Sequence, residues 1–404
     1  MQWFCHIALI AIAVQLFFLF NALRNYRYTL RTHRRKPPSY QPRAALIVPC
    51  KGLDPDFQKN IASFFKQDYS NYLLWFVVAD KSDPACEELH RLKNQLSQSS
   101  KAKNVQISVA GLSSSCSQKL HNLLYCCDRI QDDVEILAFA DSDIRVRPDW
   151  LTRLVWPLRL PKHGAATGYR WFVPRTNNLA TLALSAMNAK IAQLLGNTRF
   201  NQAWGGSMAI RAADFRRLGI DKIWQKTSSD DLSLSRTVKK AGMKVVFVPT
   251  CLVTSYESTT WPKLFEFSRR QLLITRINAP GTWWFGFATS LGSVLGLWGG
   301  LALAIYAAAI GDRHLMLFAA VPVVFILSQF IRAILRQKMV HELLKDDLPQ
   351  LKAAMTADIL AFWLWSVLLF FFIVSSAVGR TVRWRGIRYR LLSPTQTVVV
   401  KDPK

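Results

Sequence analysis

The sequence predicts an α/β domain with a mostly parallel sheet, held between membrane-spanning helices on either side. Three observations carry that expectation. Half of the 404 residues are hydrophobic, yet they concentrate in the first two dozen positions and between roughly 283 and 378. The stretch between alternates short apolar runs with amphipathic ones, as parallel-sheet α/β domains do. Acidic residues then sit where the predicted strands end, which is where open α/β sheets bind their ligands.

In chain order, Trp3 to Leu23 is apolar and long enough to span a bilayer, which takes about 20 residues. No basic residue precedes it and many follow, the reverse of a cleavable signal peptide. It reads as a retained anchor with its N-terminus outside. Ala45 to Val48 forms a first strand ended by Pro49, and Phe57 to Lys66 a helix. Leu73 to Ala79 is a second strand delivering Asp80. A helix near Pro84 to Gln98 precedes a third strand, Val105 to Val109. Leu120 to Ile130 is helical, and Glu135 to Ala140 is a fourth strand delivering Asp141 and Asp143. Pro148 suits the first turn of the next helix. Three further apolar runs follow, at about Trp283 to Ile310, His314 to Leu335 and Ala357 to Val378. The glycines of the first of these (Gly292, Gly296, Gly299, Gly300) favour close helix packing.

These elements divide the chain into an anchor (1–24), a basic juxtamembrane linker (25–43), a soluble α/β domain (44–262), an amphipathic interfacial segment (263–282), a membrane region (283–379) and a basic tail (380–404). The formal net charge is +26. It gathers in Arg24, Arg27, Arg31, Arg34, Arg35, Lys36 and Arg43, and again in Arg380, Arg383, Arg385, Arg388 and Arg390. Basic residues beside apolar runs mark cytosolic loops and anionic headgroups. No nucleic-acid motif accompanies them, so nucleic acid is not an expected partner. The two clusters conflict over topology, since three crossings from the cytosol would leave the basic tail outside. Seven scattered cysteines give neither a disulfide framework nor a zinc site. No dinucleotide or P-loop glycine motif is present.

Asp141 and Asp143, one residue apart at a strand end, suit a divalent cation. Such a cation makes a diphosphate a better leaving group, and a carboxylate elsewhere takes the proton of an attacking hydroxyl. The structural alternatives are a turn after the strand for Asp141-Ser142-Asp143 and a capping box of Ser228 with Asp231 for Asp230-Asp231.

Pro49-Cys50-Lys51-Gly52, Val77 to Asp80 with Asp83-Pro84-Ala85, Gln118-Lys119-Leu120-His121-Asn122, Asp141 to Val146, Gly205-Gly206-Ser207-Met208 and Asp230-Asp231 form an ordered set. Together with the tail Trp384 to Leu391, that set resembles the ceramide glucosyltransferase family over about Ala44 to Leu391. The resemblance implies an inverting enzyme with a cytosolic GT-A domain, a UDP-sugar donor, a divalent metal (Mg or Mn) and a membrane lipid acceptor. It places Asp80 at the uridine and Lys51 and Lys119 near the nucleotide. Asp141 and Asp143 serve the metal and diphosphate. Asp231 becomes the general base with Asp230 beside it, and Gly205 to Met208 line the acceptor side. The family's Q/R-x-x-R-W motif is altered here, where Arg269, Arg270 and Gln271 stand without the Arg-Trp pair. A processive polysaccharide synthase and a catalytically silent membrane scaffold are the competing functions.

Overall fold

The computed structural model describes residues 2–35 and 40–400. Lys36 of the first basic cluster and the last four tail residues lie outside them. The soluble domain is a seven-stranded sheet in the order β3-β2-β1-β4-β6-β5-β7. Its strands are β1 (Ala44–Pro49), β2 (Tyr72–Val78), β3 (Asn104–Val109), β4 (Ile136–Ala140), β5 (His163–Pro174), β6 (Ser207–Arg211) and β7 (Lys244–Glu257). Pairing is parallel throughout β3, β2, β1 and β4 and between β5 and β7, while β6 runs antiparallel to both neighbours. The four predicted strands are present within one or two residues of their expected ends.

The central strands β1, β2 and β4 read as near-continuous apolar runs because both faces are covered. Along β1, Leu46 and Val48 join a core with Phe64, Phe76 and Trp150, whereas Ala45 and Ile47 join another with Leu120, Phe139 and Trp224. The covering helices are α2 (Phe57–Phe65), α3 (Pro84–Leu96), α4 (Gln118–Cys127), α5 (Trp150–Val155), α6 (Leu179–Ala192), α7 (Ala212–Arg217), α8 (Ile220–Trp224) and α9 (Asp230–Lys240), after an N-terminal α1 (Gln2–Arg34). Of these, α3, α4, α6 and α9 start on a side-chain cap. Asp83 accepts from Ala85 N ahead of Pro84, and Ser117 accepts from Leu120 N. Pro148 falls just outside its helix, which begins at Trp150.

Among the described residues, three helices are long and apolar enough to cross a membrane: Gln2–Arg34, Pro280–Ala309 and Leu315–Leu343. The first runs on through Arg34, so much of the basic stretch expected as a linker is helical. The second joins α11 (Pro280–Val294) to α12 (Gly300–Ala309) through a π-turn at Leu295–Gly299, and the third is α13. The fourth apolar run does not form one straight span. Here α14 (Leu348–Leu360) and α15 (Phe362–Ser375), with the short turn before them, meet at an 86° bend. Trp365 Nε1 donates to Ala357 O and Lys190 Nζ to Phe362 O at that bend. Ahead of the membrane region, α10 (Trp261–Asn278) occupies the expected interfacial segment.

The tail is a three-stranded antiparallel sheet, β8 (Thr381–Trp384), β9 (Ile387–Ser393) and β10 (Gln396–Val400). It packs against the soluble domain. Thr397 N donates to Lys226 O, Thr227 Oγ1 to Pro394 O, and Gln118 N to the Tyr389 hydroxyl.

Candidate active site

The ends of β1 and β4, the starts of α4 and α9, and the far halves of β5 and β7 converge on one cavity of about 500 Å³. Past a register shift near Thr167, β5 and β7 continue as a two-stranded ribbon that carries Arg170, Phe172 and Glu257 to the rim. The turn after β4 presents Asp141 and Asp143, and α9 presents Asp230 and Asp231 in its first turn.

Lys119 joins the two acidic pairs. Its Nζ lies 2.7 Å from Asp141 and 2.9 Å from Asp230. Arg170 faces the other side, 3.2 Å from Asp141 and 3.3 Å from Asp143, with its guanidinium 4.9 Å from the Trp204 ring centre. Gly205 must be glycine, because a Cβ there would collide with the Asp230 carboxylate and with Lys119. Its backbone N–H donates to Asp231 Oδ2 at 3.1 Å. Asp231 Oδ1 accepts from Ser229 Oγ at 2.6 Å and Leu232 N at 2.7 Å. The helix cap is therefore Ser229, one residue later than the expected Ser228. Capping and functional presentation coexist here: the first-turn position that suits the helix dipole also aims Asp231 into the cavity.

Asp141, Asp143 and Asp230 thus share Lys119 and Arg170, and burial and charge act on each differently. Burial alone would raise the Asp141 carboxyl, but Lys119 and Arg170 outweigh it and hold it below its ordinary value. Burial wins at Asp143, which is raised despite Arg170, with the Asp141 charge adding to the shift. Asp230 is pushed up to about 6, first by burial and then by Asp231 and Asp141, against the pull of Lys119. Lys119 is raised, because its two carboxylates overcome the burial that would lower it.

A divalent cation fits this arrangement. Asp143 Oδ1 is buried without a hydrogen-bond partner, and magnesium is commonly held by one or two carboxylates with substrate phosphates completing the shell. Among the described residues no group of three or more His, Cys, Asp or Glu could hold a metal alone. Asp141 and Asp143 would therefore share the ion with the substrate.

The remaining expected residues distribute unevenly. Lys51, Arg270 and Gln271 line the cavity with Gly205. Gly206 lies close against Trp204 and Asp141. Ser207 and Met208 are fully buried on β6, where the Ser207 hydroxyl accepts from Trp150 Nε1. Asp80 is exposed outside the cavity lining, its carboxylate engaged by Ser82, whose N–H and hydroxyl lower its pKa. Arg269 turns to the membrane side and donates to Ser375 O and Val378 O. Sequence reasoning missed Arg170, Trp204, Asp54 and Glu257. It also left unassigned the tail residues Trp384, Arg385, Ile387 and Tyr389, which line the cavity too. One signal was available, a tail matching the family's end without an evident membrane role.

The model of glycosyl transferase family 21 matches residues 3–397. The chain belongs to that family. It is a glycosyltransferase, and the ordered acidic pairs lie inside the matched region. Solved structures similar to it include a mannosyltransferase from Pyrobaculum calidifontis in complex with GDP-Man and Mn2+. That match has 15% identity and a TM-score of 0.45, covering 92% of this chain and 97% of the other. Another is glucosyl-3-phosphoglycerate synthase from Mycobacterium tuberculosis in complex with phosphoglyceric acid. It has 12% identity and a TM-score of 0.36, covering 58% of this chain and 79% of the other.

Proposed function

We propose that this glycosyltransferase moves a hexose, with glucose favoured, from a UDP-sugar to the exposed hydroxyl of a membrane lipid such as ceramide, with inversion at the anomeric carbon. The observation that carries the reading is the two-sided cavity. Its floor is the ionic cluster of Lys119, Asp141, Asp143, Arg170, Asp230 and Asp231. Another wall carries Phe172, Leu184, Leu264, Phe267 and Ile274, interleaved with Lys263, Glu266, Arg270 and Gln271. Three of those apolar residues sit on α10, which leads at Asn278 to Pro280 directly into the membrane helix α11. A lipid chain therefore has a greasy path to a polar reaction centre.

Asp141 and Asp143 would hold the divalent ion, whose charge would stabilise the departing diphosphate. Asp231 receives the proton of the lipid hydroxyl. Its three donors, Ser229 Oγ, Leu232 N and Gly205 N, fix the carboxylate's position. Asp230 holds Lys119, and Lys119 ties the base-bearing helix to the turn after β4. The test is transfer by the purified protein in lipid bilayers, given UDP-glucose, manganese and ceramide, with other UDP-sugars and lipid hydroxyls in parallel. A labelled lipid that disappears on chelation supports the reading. Absence of both donor hydrolysis and lipid labelling across the panel rejects it.

The same reading includes a topology. The tail sheet packs on the soluble domain, which supports an even number of crossings between them. With α11–α12 and α13 crossing and the bent α14–α15 pair re-entering, both basic clusters fall on the cytosolic side with the catalytic domain. Cysteines placed at exposed Lys240 and Val398 should then label from the same face of sealed vesicles. Labelling from opposite faces would contradict it.

A further inference from the structure

The β8–β9 hairpin turns at Arg385 and Gly386, with φ of 47° and 85°. Two successive positive φ values at a two-residue hairpin are the type I′ arrangement, whose first position favours Asn, Asp or Gly. Arginine there is strained, and strain held at a cavity wall points to use of the side chain. The guanidinium reaches back to the strand end of β1. It donates to Lys51 O at 2.6 Å and to both Asp54 oxygens at 3.0 and 2.9 Å, while Lys51 Nζ donates to Arg385 O at 2.7 Å. Arg270 Nη1 lies 3.5 Å from Arg383 O on the same hairpin. Three cavity-lining cations, Lys51, Arg270 and Arg385, are thus gathered by one tail element.

The floor of the cavity carries the opposite sign. An incoming diphosphate needs cations on the side it turns away from that floor, and a guanidinium fork matches phosphate oxygens in pairs. We propose that the tail hairpin is part of the donor site: Arg385 binds the diphosphate of the nucleotide-sugar, and Asp54 holds the guanidinium when no donor is present. The hairpin also positions Lys51 and Arg270 through its backbone carbonyls. This inference rests on the donor reading above. It extends the site to a segment that lies beyond all the apolar helices in the chain.

The experiment measures binding to the full chain in lipid nanodiscs with manganese, using UDP and GDP against uridine and guanosine. If the wild type binds neither diphosphate, the donor reading itself fails. With the diphosphate that binds, Arg385→Ala should weaken affinity at least about tenfold and leave the matching nucleoside unchanged. Arg385→Lys should recover part of the loss, keeping the charge without the fork. Asp54→Asn should tighten diphosphate binding by freeing the guanidinium. In turnover, the donor KM of Arg385→Ala should rise by more than its kcat falls. Wild-type diphosphate affinity in Arg385→Ala overturns the proposal. So does an equal loss of diphosphate and nucleoside, which would mark a purely structural hairpin. Weaker binding by Asp54→Asn overturns the exchange of partners.

Discussion

Two ionic networks lie in this protein, one sealed and one lining the cavity, and they are built differently. Under the membrane-side helices, Arg336 and Asp358 are 2% and 0% exposed and meet through two parallel bonds of 2.5 Å. Gln337 Nε2 supplies a further donor, so both oxygens of Asp358 are engaged. In the proposed catalytic cavity, three carboxylates share two cations and, among the described residues, Asp143 Oδ1 has no partner. The first network is sealed and pins helices together, although Gln337 Oε1 beside it has no partner among the described residues. The second is partly exposed to a cavity and is shaped for something that arrives. Exposure to a cavity, rather than completeness of pairing, distinguishes scaffold from site.

Substitutions should separate the two networks. The largest effect is expected from Asp231→Asn, which removes the base while leaving an isosteric side chain. Transfer should fall by about 10²–10⁴-fold with little change in nucleoside diphosphate binding, read by turnover and calorimetry on one preparation. Wild-type turnover would remove Asp231 from the mechanism. Next, Arg336→Met strands the Asp358 charge and should cost about 3–5 kcal/mol of stability, seen in thermal unfolding. The double change Arg336→Met with Asp358→Leu should recover most of that loss, since an apolar pair of similar volume is often neutral there. A smaller effect is expected at Asp143→Asn, which should raise the metal concentration for half-maximal rate by at least about tenfold without altering the fold.

The smallest effect is a pH slope. Asp230 is raised from 3.8 to about 6 in the folded protein, so between those values the native state binds more protons than the unfolded chain. Stability from this carboxyl is therefore present at low pH and withdrawn as pH rises toward 6. Asp141 is lowered and contributes with the opposite sign at the acid end. In the metal-free protein, Asp230→Asn should flatten the dependence of unfolding temperature between pH 4 and 6. An unchanged slope would mean that Asp230 is not the group responsible.

What the sequence disclosed follows the range of the interactions. Strands β1, β2 and β4 were legible because they are short apolar runs buried on both faces, and β3 because apolar and polar residues alternate along this edge strand. Asp141, Asp143, Asp230 and Asp231 were legible because each pair is local. Arg170 was not, since only a register shift in a long ribbon brings it opposite Asp141. Ser207 and Met208 share a motif with Gly205, yet β6 is covered on both faces, so both are buried, Ser207 against Trp150 and Met208 in the other core. The bend at Ala361 was invisible because hydropathy measures composition along the chain. One carbonyl at that break, Phe362 O, accepts from Lys190, on a helix well over a hundred residues earlier. Arg385 belonged to a basic cluster on charge alone, and only its turn and its Asp54 partner set it apart.

The hairpin that roofs the cavity has a consequence in time. It follows every apolar helix in the order of synthesis, whereas the carboxylate floor is complete by Asp231. A growing chain therefore holds its acids, its base and its greasy wall well before it holds Trp384 and Arg385. Order of synthesis thus leaves the cavity without its roof until every helix between has been made.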